Sequence, residues 1–591
     1  MKYIHLFTFC FLVLFFGCKK NIDEVVEIDP FEPPTYEINY DPIIENINSS
    51  VLGLVIDEAG NPVEGATVTL NLETITTDIY GTFRFKNTMM NKQGTFIKIE
   101  KDGYFESGRK FFPQNAETNN IKVELLEKKF DQSFQSSSGA SLEFDNGGHV
   151  KFSSNSIRME NGDPYSGEVK VALKWLDPTA SKTFDQMPGA LLGVNLEGEE
   201  VALETYGMIA VELESPSGDP LNIAYNQTAE IKMPIPATLV NNAPTEIPLW
   251  SFNYKYGVWA KDGKALLQNG FYVGEVSHFS FWNCDYPRPL VNFNLTLIDD
   301  ETSEPMQNVK VAIYQIGTGL TRFGYTNTAG ELAGKIPAYE LLEMHVKNGC
   351  DDLLLDLDIG PFSDDIDFGN ILVNTSDKIF VHGDLVDCNG ELVNDGMLLV
   401  KIDENLFSFE VNSNPYGFWI PYCENASDVQ VSGGDFSTFE QGEYITLPIQ
   451  DSINVGSIVA CGQTLVNYVK MTINSTQVSI TPLTLQTLLS FNGDWLTQLT
   501  FGAPNSGNWV EFGFLGNTAG DYSNIDLQLV IAYRDHSLDV EYVTTFDEFI
   551  VDEYGDSMGE IISGHASGNQ YNQITGDVDY VEIEYKVIRD F

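Results

Sequence analysis

The chain has 591 residues, of which 85 are Asp or Glu and 33 are Lys or Arg, for a formal charge of −52. Apolar residues at 43% and aromatics at 12% supply more core material than a solvated acidic polymer carries, and the length suits roughly three to six domains. The deficit of cations excludes counterion-releasing nucleic-acid binding and a polybasic membrane face.

Lys2 supplies a positive start, and Tyr3 to Phe16 is an apolar run broken only by His5 and Thr8. That run is too short for a bilayer core of roughly 30 Å, so residues 1–17 read as a signal peptide. Gly17 before Cys18 resembles the lipobox of bacterial lipoproteins, with Phe15 where that family prefers Leu; the resemblance implies lipidation of Cys18 and residence outside the cytoplasm. Residues 18–50 are rich in Pro and Glu, including Asp29 to Glu37, and read as an acidic tether. The charged run from Lys19 to Glu24 resembles surface-export signals of Bacteroidetes lipoproteins, which implies a surface-exposed position on the outer membrane.

Three stretches then share one grammar. Gly53-Leu54-Val55-Ile56-Asp57 leads to Gly60-Asn61-Pro62-Val63 and to Thr77-Asp78-Ile79-Tyr80-Gly81. Leu295-Thr296-Leu297-Ile298-Asp299 leads to Pro305-Met306 and to Thr326-Asn327-Thr328-Ala329-Gly330; Gly383-Asp384-Leu385-Val386-Asp387 leads to Gly390-Glu391-Leu392-Val393 and to Ser413-Asn414-Pro415-Tyr416-Gly417. Alternating strands end in Asp-led turns, and a second polar turn closing on glycine precedes an aromatic strand, the pattern of a small antiparallel β-sandwich. The first copy, with Lys101-Asp102-Gly103-Tyr104-Phe105 on a later strand, resembles the carboxypeptidase regulatory-like domain. That resemblance implies a non-catalytic accessory domain with a prealbumin-like fold related to carbohydrate-binding modules. The repeats are placed at 51–129, 290–376 and 377–462.

Between the first two copies, residues 130–289 carry Gly147-Gly148-His149-Val150-Lys151-Phe152 and end on Val276-Ser277-His278-Phe279-Ser280-Phe281-Trp282-Asn283-Cys284-Asp285. These words resemble the ectodomain segment next to the regulatory-like fold in cartilage intermediate layer proteins, and imply extracellular structural or adhesive use. Residues 463–591 alternate again, as in Asp526 to Tyr533 and Tyr580 to Val587, and read as a sandwich or small barrel. Ala338 to Asn348 reads as a short helix. The fold class is all-β: tandem antiparallel β-sandwiches on a lipidated tether.

No histidine has the HExxH spacing of a zinc peptidase, and His149 and His278 read as structural. Gly555-Asp556-Ser557-Met558-Gly559 matches the nucleophile-elbow pattern, but Glu560 to Gly564 is too short and Gly-broken for the helix that the elbow requires. Asp451-Ser452-Ile453 and Asp556-Ser557-Met558 resemble Bacteroidetes O-glycosylation sites, at Ser452 and Ser557. Cys350, Cys388, Cys423 and Cys461 are candidate disulfide partners with three connectivities open, and Cys284 is the odd, reduced one. Acidic clusters at Asp299-Asp300-Glu301, Asp351-Asp352 and Asp364 to Asp367 raise calcium without an EF-hand spacing; they read as solvated faces, with no metal site and no other cofactor expected. Trp250, Phe252 and Tyr254 alternate like the inward face of a strand.

The expected function is a non-catalytic binding, adhesive or scaffolding module of the cell envelope. Its expected partners are the membrane through the lipid anchor and a glycan or envelope protein, with no nucleic acid. Carbohydrate is the first ligand class because of the regulatory-like resemblance. An accessory lipoprotein of an outer-membrane uptake system is the alternative, and a hydrolase the less favoured one.

Overall fold

Asp57, Asp299 and Asp387 each end the first strand of a repeat and fold the adjoining turn. Asp57 Oδ1 accepts the N–H groups of Ala59 (2.9 Å) and Asn61 (2.8 Å), and Asp387 Oδ1 those of Asn389 and Glu391 (both 2.8 Å). Asp299 does the same for Glu301 (3.1 Å) and Thr302 (2.9 Å). The second repeat lacks the turn glycine, and Ser303 takes the left-handed position at φ 61° that Gly60 and Gly390 fill at 82° and 84°.

The computed structural model describes residues 38–588 except 317–320, 349, 375–377, 404, 422–425, 439, 465–467, 474–475, 481–482, 492–493, 503–508, 516–517, 523–530, 536–539, 556–560 and 573–577. In the first repeat the strand Asn46–Asp57 lies between Thr82–Asn91, antiparallel, and Thr118–Leu125, parallel. The second repeat places Leu290–Asp299 between Glu331–Pro337 and Ile366–Val373, and the third Lys378–Val386 between Tyr416–Pro421 and Ser452–Val459, with the same directions. A second sheet closes each sandwich over a core such as Val55, Val68, Phe85, Ile97 and Val123 in the first.

The first strand starts at Asn46, inside the stretch read as tether, because Asn46, Ile47 and Asn48 pair with Asn91, Met90 and Met89. Ile38 and Tyr40 also pack against Leu192, Val194 and Val258 of the middle unit. The helix expected at Ala338 to Asn348 is instead the strand Leu342–Lys347. Its Leu, Met and Glu favour helix, but Leu342, Met344 and Val346 are buried while Glu343, His345 and Lys347 are half-buried, and a period of two decides the matter.

The third repeat departs from the expected turn. Val55 N and Leu297 N donate to the carbonyls of Gly81 and Gly330, both at 2.8 Å, whereas Leu385 N donates to the side-chain Oδ1 of Asn414 at 2.7 Å. Asn414 thus replaces the turn glycine, ahead of a cis bond to Pro415. Gly417, expected in the turn, lies within the strand Tyr416–Pro421 opposite His382.

Asp78 in the first repeat is buried, and burial pushes its carboxyl up to about 6 against the hydrogen bonds from Thr82 and Tyr80. Between about pH 4 and 6 the folded state therefore holds a proton that the unfolded chain has released, so stability from this group rises as pH falls through that window. Asn327 fills the same position in the second repeat, accepting Ala329 N at 3.0 Å and Glu331 N at 2.8 Å. Asp78→Asn is expected to stabilise the first repeat at pH 7 by about 2–3 kcal/mol; the difference from the parent chain, measured by urea unfolding, should vanish near pH 4.

Thirteen strands between Gln132 and Arg288 form one mixed sheet with Trp250, Trp259 and Trp282 fully buried. One of its cores takes in Phe105 and Leu126 from the first repeat. From Tyr468 to Ile588 runs a ten-stranded antiparallel sheet whose end strands, Thr476–Ile480 and Leu483–Phe491, are not bonded to each other among the described residues, which thus form an open sheet.

The repeats are consecutive units of one pattern but cluster in space. The first repeat reaches the middle sheet through Tyr254 Oη, which donates to Glu106 O at 2.8 Å, and the second repeat through Asn120 Nδ2 to Thr326 O at 3.1 Å. It reaches the third through Arg84, which pairs with Asp395 at 2.7 Å and with Glu410. Leu52 packs there against Met397 and Leu399, and Arg84 lies 4.2 Å over the Phe436 ring.

Candidate functional site: an aromatic face and cleft on the third repeat

On the strand Lys378–Val386, Ile379 and Val381 point into the core, so Lys378, Phe380 and His382 share the outer face. Across the ladder Phe380 opposes Trp419 and His382 opposes Gly417. Trp419 is 37% exposed, and its ring lies 4.8 Å from that of Phe380, which stacks on His382 at 5.3 Å. A Cβ at residue 417 would meet the Phe380 ring at 2.6 Å, so glycine lets that ring lie across its neighbour strand. Lys378 Nζ sits 4.8 Å over Trp419 and is fixed by Asp299 at 2.6 Å.

The same face differs in the other repeats. In the first it carries Leu52 and Arg84, both engaged by the third repeat. In the second it carries Asn292 and Asn294, with Lys335 ion-paired to Glu200 of the middle unit. Among the described residues of the three repeats this aromatic outer face is on the third, and it borders a cleft of about 700 Å³ between the second and third repeats. Thr302, Glu304, Gln307 and Asn308 of the second repeat form the opposite polar wall. An exposed ring across one concave site from amide and hydroxyl side chains suits a neutral, hydroxyl-rich ligand with one apolar face.

The residues singled out in the sequence have other places. Ser452 is exposed and opposes Phe380 in register, beside the aromatic face. Cys388 and Cys461 form a disulfide that ties the turn after Val386 to the end of the neighbouring parallel strand. Cys350 is also disulfide-bonded and packs on the core of the third repeat, and Cys284 is a buried free thiol. Cys18, Cys423 and Ser557 lie outside the described residues.

His149 pairs with Glu230 at 3.0 Å and His278 with Asp262 at 3.2 Å, each with its own carboxylate. His565 faces Asp552 across a hairpin at 3.0 Å, both about half exposed. The acidic clusters are divided among separate tasks. Asp299 caps its turn, Asp351 pairs with Lys310 at 2.9 Å, and Asp365 accepts from Asn292 at 2.8 Å. Among the described residues one ligand-like group, Cys388, Glu440 and Cys461, comes together, and its two sulfurs are joined to each other. Trp250 and Phe252 are core residues, with Trp250 Nε1 donating to Asp285 O at 3.0 Å. Among the described residues no helix is long and apolar enough to cross a membrane.

No family model matches the chain. In its middle region it is similar to cartilage intermediate layer proteins. Identity is 32% over 155 residues with the pig protein 1, covering 24% of this chain and 25% of that protein. With human protein 1 it is 29% over 154 residues, and with human protein 2 it is 29% over 118 residues. The chain thus spans a quarter or less of these relatives, 12% and 10% for the human pair. Among solved structures, the major pilin subunit BcpA of Bacillus cereus aligns over 71% of this chain and 99% of its own at 9% identity, with a TM-score of 0.12. The shaft pilin SpaA of Lactobacillus rhamnosus GG aligns over 30% and 99% at 10% identity, with a TM-score of 0.16. Scores this low carry no argument, and the tandem β-sandwich architecture rests on the sheets themselves.

Proposed function

We propose that the chain is a non-catalytic surface module that binds carbohydrate in the cleft between its second and third repeats, held to the outer membrane by lipid on Cys18. The observation that carries this reading is the exposed Trp419 beside Phe380, Lys378 and a polar wall. Pyranose rings stack their C–H faces on such rings while amides and hydroxyls hold the sugar oxygens. The likeness of the first repeat to an accessory domain related to carbohydrate-binding modules supports the ligand class, and the Gly17-Cys18 pair supports the anchor. The middle region's likeness to cartilage intermediate layer proteins supports an extracellular setting. A glycan array probed with the full chain should give saturable hits, and Trp419→Ala should weaken them about tenfold or more. A silent array, or hits indifferent to that substitution, would remove the carbohydrate reading.

A further inference from the structure

Asp299 uses its two oxygens differently from its counterparts in the other repeats. In all three repeats Oδ1 holds the turn, and Asp299 Oδ1 accepts Glu301 N, Thr302 N and, at 3.0 Å, Thr302 Oγ1. In the first and third repeats Oδ2 stays local, accepting from Asn61 Nδ2 at 3.0 Å on Asp57 and from Asn389 Nδ2 at 3.4 Å on Asp387. Asp299 Oδ2 instead crosses to the third repeat and takes Lys378 Nζ at 2.6 Å. The side chains of Asp299 and Lys378 are 5% and 9% exposed.

Both residues line the cleft between the second and third repeats. The turn that Asp299 holds carries Thr302 and Glu304 of the polar wall, and the ammonium that it holds lies 4.8 Å over Trp419 of the aromatic face. One carboxylate therefore fixes both walls, through charge-assisted bonds at each oxygen. It also cancels a charge. Lys378 is the cation of the lining among the described residues, and Glu301, 3.5 Å from its Nζ, brings a second carboxylate to it. Glu304 adds a third, exposed on the opposite wall. A ligand entering the cleft thus meets more negative than positive charge, and an anionic sugar is opposed at close range.

We propose that the Asp299–Lys378 pair sets the ligand class of the cleft: by joining the walls and cancelling the lysine it admits neutral glycans and excludes those bearing uronate or sulfate. This rests on the carbohydrate reading of the same cleft and adds a rule of selection to it. Asp299 and Lys378 are positioning residues that act through Thr302 and Trp419. Asp299→Asn separates the cap from the charge. An asparagine holds such a turn with its own Oδ1, as Asn327 does in the same repeat, but it does not neutralise Lys378. Glu301, with its side chain 62% exposed, is a weak substitute. The freed ammonium then stands beside the exposed ring as a partner for a sugar carboxylate or sulfate.

A glycan array carrying neutral, uronate-bearing and sulfated oligosaccharides, probed with the full chain at constant ionic strength, tests the proposal. The parent should bind neutral glycans and leave acidic ones at background. Asp299→Asn should weaken the neutral hits about tenfold or more and bring up acidic ones, an inversion that a simple loss of structure does not produce. Asp299→Asn combined with Lys378→Met, which carries neither charge, should lose the acidic hits again. A parent that favours acidic glycans, an Asp299→Asn chain that gains no acidic hits, or acidic hits kept by the double variant would overturn the selection rule. The carbohydrate reading would survive those results, because it is judged on Trp419→Ala; a parent silent on every glycan overturns both. Should Asp299→Asn fail to fold, the parent's own preference between neutral and acidic glycans decides.

Discussion

Arg84→Met is expected to destabilise the packing of the first repeat on the third by about 3–5 kcal/mol, the cost of leaving a buried charge without its partner. The stranded group is Glu410, whose side chain is 3% exposed, as against 7% for that of Arg84. Glu410 would keep only Thr118 and Asn412 as donors, and neutral donors do not replace a guanidinium. Asp395 loses less. It is partly exposed, and although burial pushes its carboxyl upward, Lys86 and Arg84 together hold it below its ordinary value. The charge-free pair Arg84→Met with Glu410→Leu should recover most of the loss, because two apolar side chains can replace a buried ion pair at little cost. Equilibrium urea unfolding of the parent, both single variants and the pair measures the cycle. Additive losses would show that the two residues are not coupled.

Reduction of Cys388–Cys461 is the second large effect. The bridge closes a loop with a sequence separation of 73, for which loop-closure entropy gives about 4 kcal/mol. Within that loop lies most of the third repeat, including Trp419, while the strand that carries Lys378, Phe380 and His382 precedes it. Cys388→Ser with Cys461→Ser should lower the unfolding midpoint of the third repeat. Hydrogen exchange at Val381, Leu385 and Ile458, all buried, is expected to be faster in the double variant than in the parent.

How far the sequence reveals the fold depends on the range of the interaction. Asp57, Asp299 and Asp387 are legible because each organises backbone within four residues of itself, so the turn is written where it occurs. The same locality made Gly417 look like a turn residue; only the pairing of His382 with Gly417 shows that the turn had already closed at Asn414. Leu342 to Lys347 carry helix-favouring residues, and their strand identity comes from partners at Lys310–Gln315 and Leu353–Ile359.

The aromatic face was half legible. Ile379 and Val381 alternating with Lys378, Phe380 and His382 announce a strand with one apolar and one mixed face, and adjacent Phe418 and Trp419 must point to opposite sides of theirs. Which side meets water depends on Arg84 reaching Asp395 and Glu410, more than three hundred positions away, since the equivalent face of the first repeat is covered. A cavity at the junction of the first repeat, the middle unit and the second repeat was not legible, because its lining comes from three units that meet only when they dock.

Docking the first repeat on the third also fixes how the molecule carries tension. A pull on the N-terminal segment enters the strand Asn46–Asp57 lengthwise, so its hydrogen bonds to Thr82–Asn91 and Thr118–Leu125 are loaded in shear, all together. Arg84 on one of those neighbours and Thr118 on the other both hold Glu410. A load on that strand is therefore shared with the repeat that bears Trp419, as well as with the middle unit on which Ile38 and Tyr40 pack. The buried pair of Arg84 with Glu410 thus couples the N-terminal strand mechanically to the repeat that lines the cleft.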